Sequence, residues 1–306
     1  MKELLLCCSL ALCLLACDNT TSVIDQPDHS AIVPIPSEGV FDSQALVFSA
    51  QSQIYAEGPE LRPLINLFVE ELKSVTGLSL SIAENQGTHV DLIFAIDTEL
   101  AADEYKISVT DKIAVSGGSY QALAMARSTL HQLAFDHEGS LAFPIMSISD
   151  TPTTKYRGLM IDLARQWHTV ETIKSLIDLA SYYKSNYVHL HFTDYQSYTL
   201  PSRKYTKLPT EGRSYSFQDL EVLEAYAQLR GITLIPEIDI PGHASSIVKA
   251  YPEIFGLKDI DENPWTINMG KEEVYEALET IISEIIPIFN QALISTLVAM
   301  KPFFIR

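Results

Sequence analysis

A regular alternation of strands and helices in the second half of the chain is the strongest constraint on the fold. Three apolar runs predict strands, at 158–163, 187–192 and 232–238. Three amphipathic segments predict helices, at 170–183, 216–230 and 272–286. Near-continuous apolar strands connected through helices are typical of a parallel sheet covered on both faces. Residues 151–289 are therefore expected to form α/β structure, as an open sheet or a closed barrel.

Residues 45–150 show a different pattern and contain no convergent set of catalytic side chains. Four strands are predicted there, at 45–49, 90–96, 105–109 and 113–116. Leu64, Leu67, Phe68 and Leu72 have helical spacing, and the helix is expected to end at Gly77. A second helix is predicted at 120–135. This part is interpreted as a small α/β accessory domain.

The N-terminal segment carries all four cysteines of the chain, Cys7, Cys8, Cys13 and Cys17. The apolar run 4–16 is too short to cross a bilayer and is typical of a signal-peptide core. Residues 14–17 resemble a bacterial lipobox, so we expect residues 1–17 to be a lipoprotein signal peptide with Cys17 acylated. An ordinary cleaved signal is the alternative. Residues 18–44 are expected to form a polar tether, and the protein is expected to lie in the bacterial cell envelope.

Net charge and cysteine placement exclude several kinds of partner and site. The chain has 21 basic and 39 acidic residues, a formal charge of −18, which argues against nucleic acid and against an anionic membrane surface. A lipid on Cys17 is thus the one membrane contact that we expect. Because residues 18–306 contain no cysteine, that region can have no disulfide, thiolate metal site or cysteine nucleophile.

The most informative local segment is 235–243, Ile-Pro-Glu-Ile-Asp-Ile-Pro-Gly-His. A buried strand ends here in carboxylates, a turn and an imidazole, so that Glu237, Asp239 and His243 gather at its carboxyl end. In parallel α/β folds the active site lies at the carboxyl ends of the strands. This segment is therefore predicted to form part of an active-site rim.

The preceding strand contributes His189, His191 and Asp194. Strand alternation places both histidines on one face. With His243, they have the ligand types of a metal-dependent hydrolase. A packing role inside the sheet is the alternative for the two strand histidines, and Asp194 and Asp239 are candidate partners that fix the tautomer of His243.

Two arginines flank the first strand of the alternating region. Arg157 precedes it, Asp162 lies at its end and Arg165 follows. A guanidinium can hold two sugar hydroxyls or a carboxylate. The alternative for Arg157 is a structural ion pair with Asp162.

Three sequence blocks occur in a fixed order: 157–162 (Arg-Gly-Leu-Met-Ile-Asp), 189–194 (His-Leu-His-Phe-Thr-Asp) and 236–243 (Pro-Glu-Ile-Asp-Ile-Pro-Gly-His). Together they resemble glycoside hydrolase family 20, the β-N-acetylhexosaminidases. The resemblance covers about 45–289. It implies a (β/α)8 TIM barrel, here incomplete with about three βα units, behind the accessory domain. It also implies removal of terminal N-acetyl-β-D-hexosamine from an oligosaccharide, with retention and with the substrate's acetamido oxygen as nucleophile.

The resemblance also implies individual roles. Arg157 holds ring hydroxyls of the sugar, and Asp194 and His243 form a relay that supports the general acid. Asp239 positions His243. No metal and no other cofactor is implied.

Two departures from the family pattern are visible. Tyr195 stands where the family often has a second aspartate, and the motif His-x-Gly-Gly-Asp-Glu is absent. Its Asp orients the acetamide and its Glu is the general acid. One permitted back-translation of residues 291–302, read in a shifted frame, gives Ser-Pro-Tyr-Phe-His-Ile-Gly-Gly-Asp-Glu-Ala. Residues 290–306 are therefore interpreted as an aberrant tail after a frameshift, and the chain as written is expected to be inactive and poorly stable.

Three functions follow from these observations. The first is a lipoprotein β-N-acetylhexosaminidase, with chitin oligosaccharides among the candidate substrates. The second is a non-catalytic carbohydrate-binding lipoprotein that retains Arg157 and Asp239. The third is a metal-dependent hydrolase that uses His189, His191 and His243.

Overall fold

The computed structural model describes residues 27–87, 90–257 and 265–289. The predicted signal peptide with Cys17 and the predicted aberrant tail 290–306 lie outside the described residues. The described residues form two hydrophobic cores, one on each side of about residue 150.

The first core lies between a mixed sheet and two helices. In chain order the elements are β1 (Glu38–Val47), β2 (Gln53–Glu57), α1 (Arg62–Thr76), β3 (Ser81–Ile82), β4 (Val90–Ile96), β5 (Tyr105–Val109), β6 (Ile113–Gly117), α2 (Tyr120–Leu133), β7 (Phe135–His137) and β8 (Ser140–Asp150). The strand order is β1-β8-β5-β6-β4-β2-β3, with β7 paired to β8. Helix α1 buries Leu64, Phe68 and Leu72 and ends at Gly77 with φ +72°, as predicted.

The predicted tether 18–44 is wrong in its second half. Ile32 is fully buried, and β1 runs from Glu38 to Val47 along β8. Most side chains of β1 are exposed, and the strand lies at the edge of the sheet, where it pairs with β8. Its polar composition therefore resembles that of a linker, although its backbone is hydrogen-bonded in the sheet.

The second core belongs to three βα units, as predicted. Their elements are β9 (Gly158–Asp162), α3 (Val170–Tyr182), β10 (Tyr187–His191), α4 (Phe217–Leu229), β11 (Thr233–Glu237), α5 (Ser245–Ala250), α6 (Pro252–Phe255) and α7 (Glu272–Ile285). The strands form a parallel sheet in the order β11-β10-β9. The structure thus has the predicted α/β class, with part of a barrel behind an accessory domain.

Side-chain caps set the starts of the two helices that cover this sheet. The Thr169 hydroxyl accepts a hydrogen bond from the backbone N–H of Thr172, at 3.2 Å. Ser216 and Asp219 form a reciprocal capping box at the start of α4. Both helices begin within one residue of the start that the sequence predicted.

The outer strands of the parallel sheet are open on one side within the described residues. Strands β9 and β11 each pair with β10 alone. On β9, Leu159 is 38% and Met160 is 55% exposed. The free edge of β9 is where a further strand of a barrel could pair. None of the described helices has the length and apolar character needed to span a membrane.

The two cores meet along α2. Arg127 on α2 is 2% exposed; it forms an ion pair with Glu71 and donates to the hydroxyl of Ser181 on α3 at 2.6 Å. Gly231, just after α4, has φ +70°, and a Cβ at this position would lie 2.8 Å from the Cβ of Ala124. Any side chain at residue 231 would therefore both strain the backbone and separate the domains.

Candidate active site

The register of the parallel sheet brings three strand ends to one level. His191 is opposite Asp162 on one side and Glu237 on the other. The chain leaves each strand at this level, so the following loops place Arg165, Asp194 and His243 close together. The structure therefore assembles the site at the carboxyl edge, where the sequence predicted it.

Asp194 is the centre of the cluster and is only 1% exposed. Its Oδ2 lies 3.1 Å from His191 Nε2 and 3.2 Å from His243 Nδ1, and also contacts the Arg165 guanidinium. The backbone N–H of Tyr195 donates to Oδ1 at 2.5 Å. The predicted contact between Asp194 and His243 is thus present, with two further cationic side chains around the same carboxylate.

The surroundings of Asp194 keep it ionised. Burial alone would raise its pKa, but the hydrogen bonds from Tyr195, His191 and His243, together with the charge of Arg165, lower it. A buried carboxylate with this number of partners can hold an imidazole in one orientation. His243 also has φ +52°, a backbone conformation that is uncommon for residues other than glycine.

Glu237 joins the two histidines of β10. Its Oε2 lies 2.8 Å from His189 Nε2 and 3.1 Å from His191 Nδ1, so both histidines lie on one face, as predicted. Contact with Glu237 is the main cause that raises the pKa of His191 to about 9. Burial opposes ionisation of Glu237, but the two histidines outweigh it and lower its pKa to about 2. The pair is therefore ionic at neutral pH.

The ion pair between His191 and Glu237 should make the free energy of unfolding depend on pH. The pKa of His191 rises from 6.5 to about 9 on folding, so its stabilisation is complete below pH 6.5 and is lost as the pH rises through about 9. We expect the free energy of unfolding to fall across this window, by at most about 1.4 kcal/mol per pH unit. Urea unfolding of the wild-type chain and of His191→Gln tests it. A slope of the same size in both proteins would contradict the assignment.

Asp239 lies beside the Asp194–His243 pair. Its backbone N–H donates to the Thr193 hydroxyl at 2.9 Å, and burial raises the pKa of its carboxyl group while His243 opposes that effect. This position agrees with the predicted proximity to His243.

The predicted metal ligand set is not assembled in the described residues. His189, His191 and His243 do not form one group; the groups close enough to hold a metal are His191–Glu237–Asp239 and Asp194–Asp239–His243. In both groups the ligand atoms other than that of Asp239 already belong to ion pairs with neighbouring side chains. The prediction that His189, His191 and His243 together form a metal site is therefore wrong.

The structure corrects the placement of Arg157. The residue precedes β9 and lies at the opposite end of the sheet, where its Nε donates to the Lys184 carbonyl at 3.0 Å and its Nη1 to the Thr154 carbonyl at 2.6 Å. Its Nη2 lies 3.2 Å from Met125 Sδ in the accessory domain. A strand of five residues separates this end of the sheet from the active-site edge, about 17 Å away. Arg157 therefore cannot hold a sugar beside Asp194, and it forms no ion pair with Asp162.

Arg165 occupies the position predicted for Arg157. Its Nη1 lies 2.5 Å from Asp162 Oδ2, its Nη2 contacts Asp194, and its side chain is 46% exposed. Burial would raise the pKa of Asp162, but hydrogen bonds from Arg165 lower it. The sequence alone could have distinguished the two arginines, because Arg165 follows the strand, towards the active-site edge, whereas Arg157 precedes it.

Aromatic side chains flank the cluster and were not predicted. The indole of Trp265 lies 4.3 Å from the His243 ring and is 50% exposed. Tyr195 is 37% exposed, with the Lys249 ammonium 4.2 Å from its ring centre. An exposed ring beside polar groups can pack against the apolar face of a sugar.

Comparison with known families gives two adjoining matches. Residues 29–151 match the profile "Glycosyl hydrolase family 20, domain 2", and residues 155–296 match "Glycosyl hydrolase family 20, catalytic domain". The two profiles divide the chain where the structure changes from one core to the other.

The chain is also similar to individual proteins that are named beta-hexosaminidases. The chain is 29% identical to a beta-hexosaminidase of Porphyromonas gingivalis over 93% of its own length and 40% of the relative's, and 35% identical to one of Akkermansia muciniphila over 64% and 44%. It thus spans less than half the length of these curated relatives.

Solved structures show the same partial match. The chain is similar to the GH20 exo beta-N-acetylglucosaminidase of Vibrio harveyi, solved in complex with N-acetylglucosamine, with a TM-score of 0.78, 26% identity and coverage of 87% of this chain and 46% of that one. A beta-N-acetylhexosaminidase of Bacteroides fragilis gives a TM-score of 0.77 at 28% identity, with 85% and 55% covered.

Proposed function

Because the chain belongs to glycosyl hydrolase family 20, we propose that its protein removes terminal N-acetyl-β-D-hexosamine residues from oligosaccharides. One observation supports this function most directly: Asp194, His243 and Arg165 converge at the carboxyl edge of the parallel sheet. The relatives of known structure include an enzyme bound to N-acetylglucosamine. Chitin-derived oligosaccharides are one source of such residues, and we include them among the proposed substrates.

The geometry supports a division of roles. Arg165 is half-exposed and can donate to ring hydroxyls of a sugar, the role first assigned to Arg157. Asp194 is buried and ionised, and it can orient the imidazole of His243. Asp239 lies close enough to both to assist. In a mechanism with the acetamido oxygen as nucleophile, such a pair supports the residue that protonates the leaving group.

A pair of arginine variants tests this site. Arg165→Ala is expected to weaken binding of N-acetylglucosamine about 10- to 100-fold, because hydrogen bonds from a charged donor contribute about 1.5–3 kcal/mol. Arg157→Ala is expected to leave the affinity within about twofold and to lower the free energy of unfolding by about 1–3 kcal/mol. Calorimetric titration and urea unfolding of both variants measure these effects. Loss of sugar binding in Arg157→Ala alone would refute the assignment.

We also propose that the protein is a lipoprotein of the bacterial cell envelope. The support is the lipobox-like sequence before Cys17, followed by polar residues. Cys17→Ser is expected to abolish incorporation of labelled palmitate in a bacterial host, whereas Cys13→Ser should leave it unchanged. Equal labelling of the Cys17→Ser variant would contradict the proposal.

A further inference from the structure

A short segment before the first strand is fixed at the boundary between the two cores. It comprises residues 31–37, and we call it the strap. The Gln132 side chain accepts a hydrogen bond from the backbone N–H of Val33 at 2.9 Å and donates one to the Val33 carbonyl at 3.0 Å. The Lys184 ammonium donates to the Pro34 carbonyl at 3.2 Å. The strap is therefore bonded to both the accessory domain and the βα units.

The strap lies at the edge of the parallel sheet that is opposite to the active site. Lys184, which holds the strap, precedes β10 by three residues, and its carbonyl accepts from Arg157 Nε at 3.0 Å. Arg157 directly precedes β9. Both residues line a cavity of about 230 Å³ together with part of the strap. A strand of five residues, about 17 Å long, separates this edge from the cluster around Asp194.

Four apolar side chains are exposed at this edge, with exposed fractions of 46% to 67%. Two lie on the strap and two lie one helical turn apart at the end of α3. Gln132 connects the two segments, because its amide donates to the Val33 carbonyl and, at 2.6 Å, to the Tyr182 carbonyl. We call the four residues the apolar band: Val33, Ile35, Leu179 and Tyr183. Aliphatic side chains beside a tyrosine suit the boundary between lipid and water.

The chain that precedes the strap indicates what covers this band. Cys17, the proposed acylation site, precedes Pro27, the first described residue, by ten positions. Ten residues span at most about 36 Å, even when fully extended. An acyl group on Cys17 therefore keeps the strap within this distance of the lipid. The apolar band is the part of the same edge that lipid can cover.

We propose that the apolar band rests on the surface of the membrane to which Cys17 anchors the protein, so that the active-site edge faces away from the lipid. This proposal rests on the lipoprotein assignment made above. Contact through apolar side chains requires no anionic lipid, so the formal charge of −18 does not oppose it. The band adds a second membrane contact to the acyl group. The sugar site then remains open to oligosaccharides in solution.

The two tryptophans of the chain make this orientation measurable without a label. Trp167 follows β9 and Trp265 contacts His243, so both lie at the active-site edge. Bromine atoms on lipid acyl chains quench only nearby indoles. The acylated wild-type protein should therefore keep most of its fluorescence in vesicles of brominated phosphatidylcholine.

Tyr183→Trp places a third indole in the apolar band. We expect the brominated lipid to remove at least about twice as large a fraction of its emission as in the wild-type protein, because an indole in the band lies at the lipid boundary. Val222→Trp is the matched control, at a position on α4 that is 39% exposed and outside the band. It should behave like the wild-type protein. Adding Ile35→Asp to Tyr183→Trp should remove the extra quenching, whereas adding Val222→Asp should not.

Three results would overturn this proposal. One is equal quenching in the Tyr183→Trp and Val222→Trp proteins. Another is strong quenching of Trp167 and Trp265 in the wild-type protein, which would place the active-site edge on the lipid. The third is a shift of the Tyr183→Trp emission that depends on protein concentration without vesicles, which would assign the band to a second copy of the chain.

Failure of the lipoprotein assignment gives a different result, because the protein would then carry no acyl group. The orientation can be measured in that case as well. Cys17 is the only thiol of a chain that begins at this residue, so it can be coupled to a phospholipid that carries a maleimide group. The same comparison of Tyr183→Trp with Val222→Trp then decides whether the apolar band contacts the lipid.

Discussion

A polypeptide limited to these 306 residues is expected to hydrolyse a chromogenic N-acetyl-β-glucosaminide no faster than buffer does. Its sequence lacks the His-x-Gly-Gly-Asp-Glu motif, which by family resemblance supplies the acetamide-orienting Asp and the general acid. A positioned general acid alone contributes about 10²–10⁴-fold to the rate. Loss of nucleophile orientation adds to that loss. Release of the chromophore by the purified chain measures the outcome.

The control is a longer polypeptide whose frame continues into His-Ile-Gly-Gly-Asp-Glu, obtained after resequencing the gene across the codons for residues 284–306. This polypeptide should cleave the N-acetylglucosaminide but not the corresponding glucoside, because only the first substrate carries the acetamido oxygen. The prediction would be contradicted if the 306-residue chain hydrolysed the substrate and the Asp194→Asn substitution abolished that hydrolysis. If the longer polypeptide binds the sugar without cleaving it, the hypothesis of a carbohydrate-binding protein would replace that of an enzyme.

Glu237→Gln is expected to lower the free energy of unfolding by about 2–3 kcal/mol at pH 6. Removing one partner of a buried ion pair leaves the other charge uncompensated, at a cost of about 3–5 kcal/mol when burial is complete. The Glu237 side chain is 27% exposed, so solvent reduces the effect. The pKa of His191, now raised by Glu237, should fall in the variant. Urea unfolding and an NMR titration of His191 measure both quantities.

His189→Gln is the matched comparison for this variant. His189 contacts the same Glu237 oxygen, but its side chain is 27% exposed, whereas that of His191 is 5% exposed. We expect His189→Gln to cost less than about 1 kcal/mol. A larger loss of stability in His189→Gln than in Glu237→Gln would mean that the pair with His191 is not the stabilising contact.

Local sequence signals predicted the parallel part of the fold well. Thr169 and the Ser216 capping box fix helix starts through bonds between neighbours in the chain, so they can be recognised without the tertiary structure. Strand β1 could not be recognised in this way, because most of its side chains are exposed and its pairing partner β8 is about 100 residues away. Edge strands are stabilised by distant pairing, which composition does not record.

The sequence predicted where the site lies more accurately than it predicted which residues form it. Asp194, Asp239 and His243 follow strand ends, and the parallel topology brings such positions together. Arg157 was misplaced because its block matched the family, although it precedes the strand and Arg165 follows it. The aromatic neighbour Trp265 is distant in sequence from β10, and its exposure depends on tertiary packing.

The junction at Gly231 and Arg127 also has a consequence for biosynthesis. During translation the accessory domain leaves the ribosome before any βα unit, and domains generally fold in that order. Helix α2, with Arg127 and Ala124 on its surface, is then available when α3 and the turn at Gly231 emerge. The accessory domain would therefore serve as an intramolecular template for the nascent barrel.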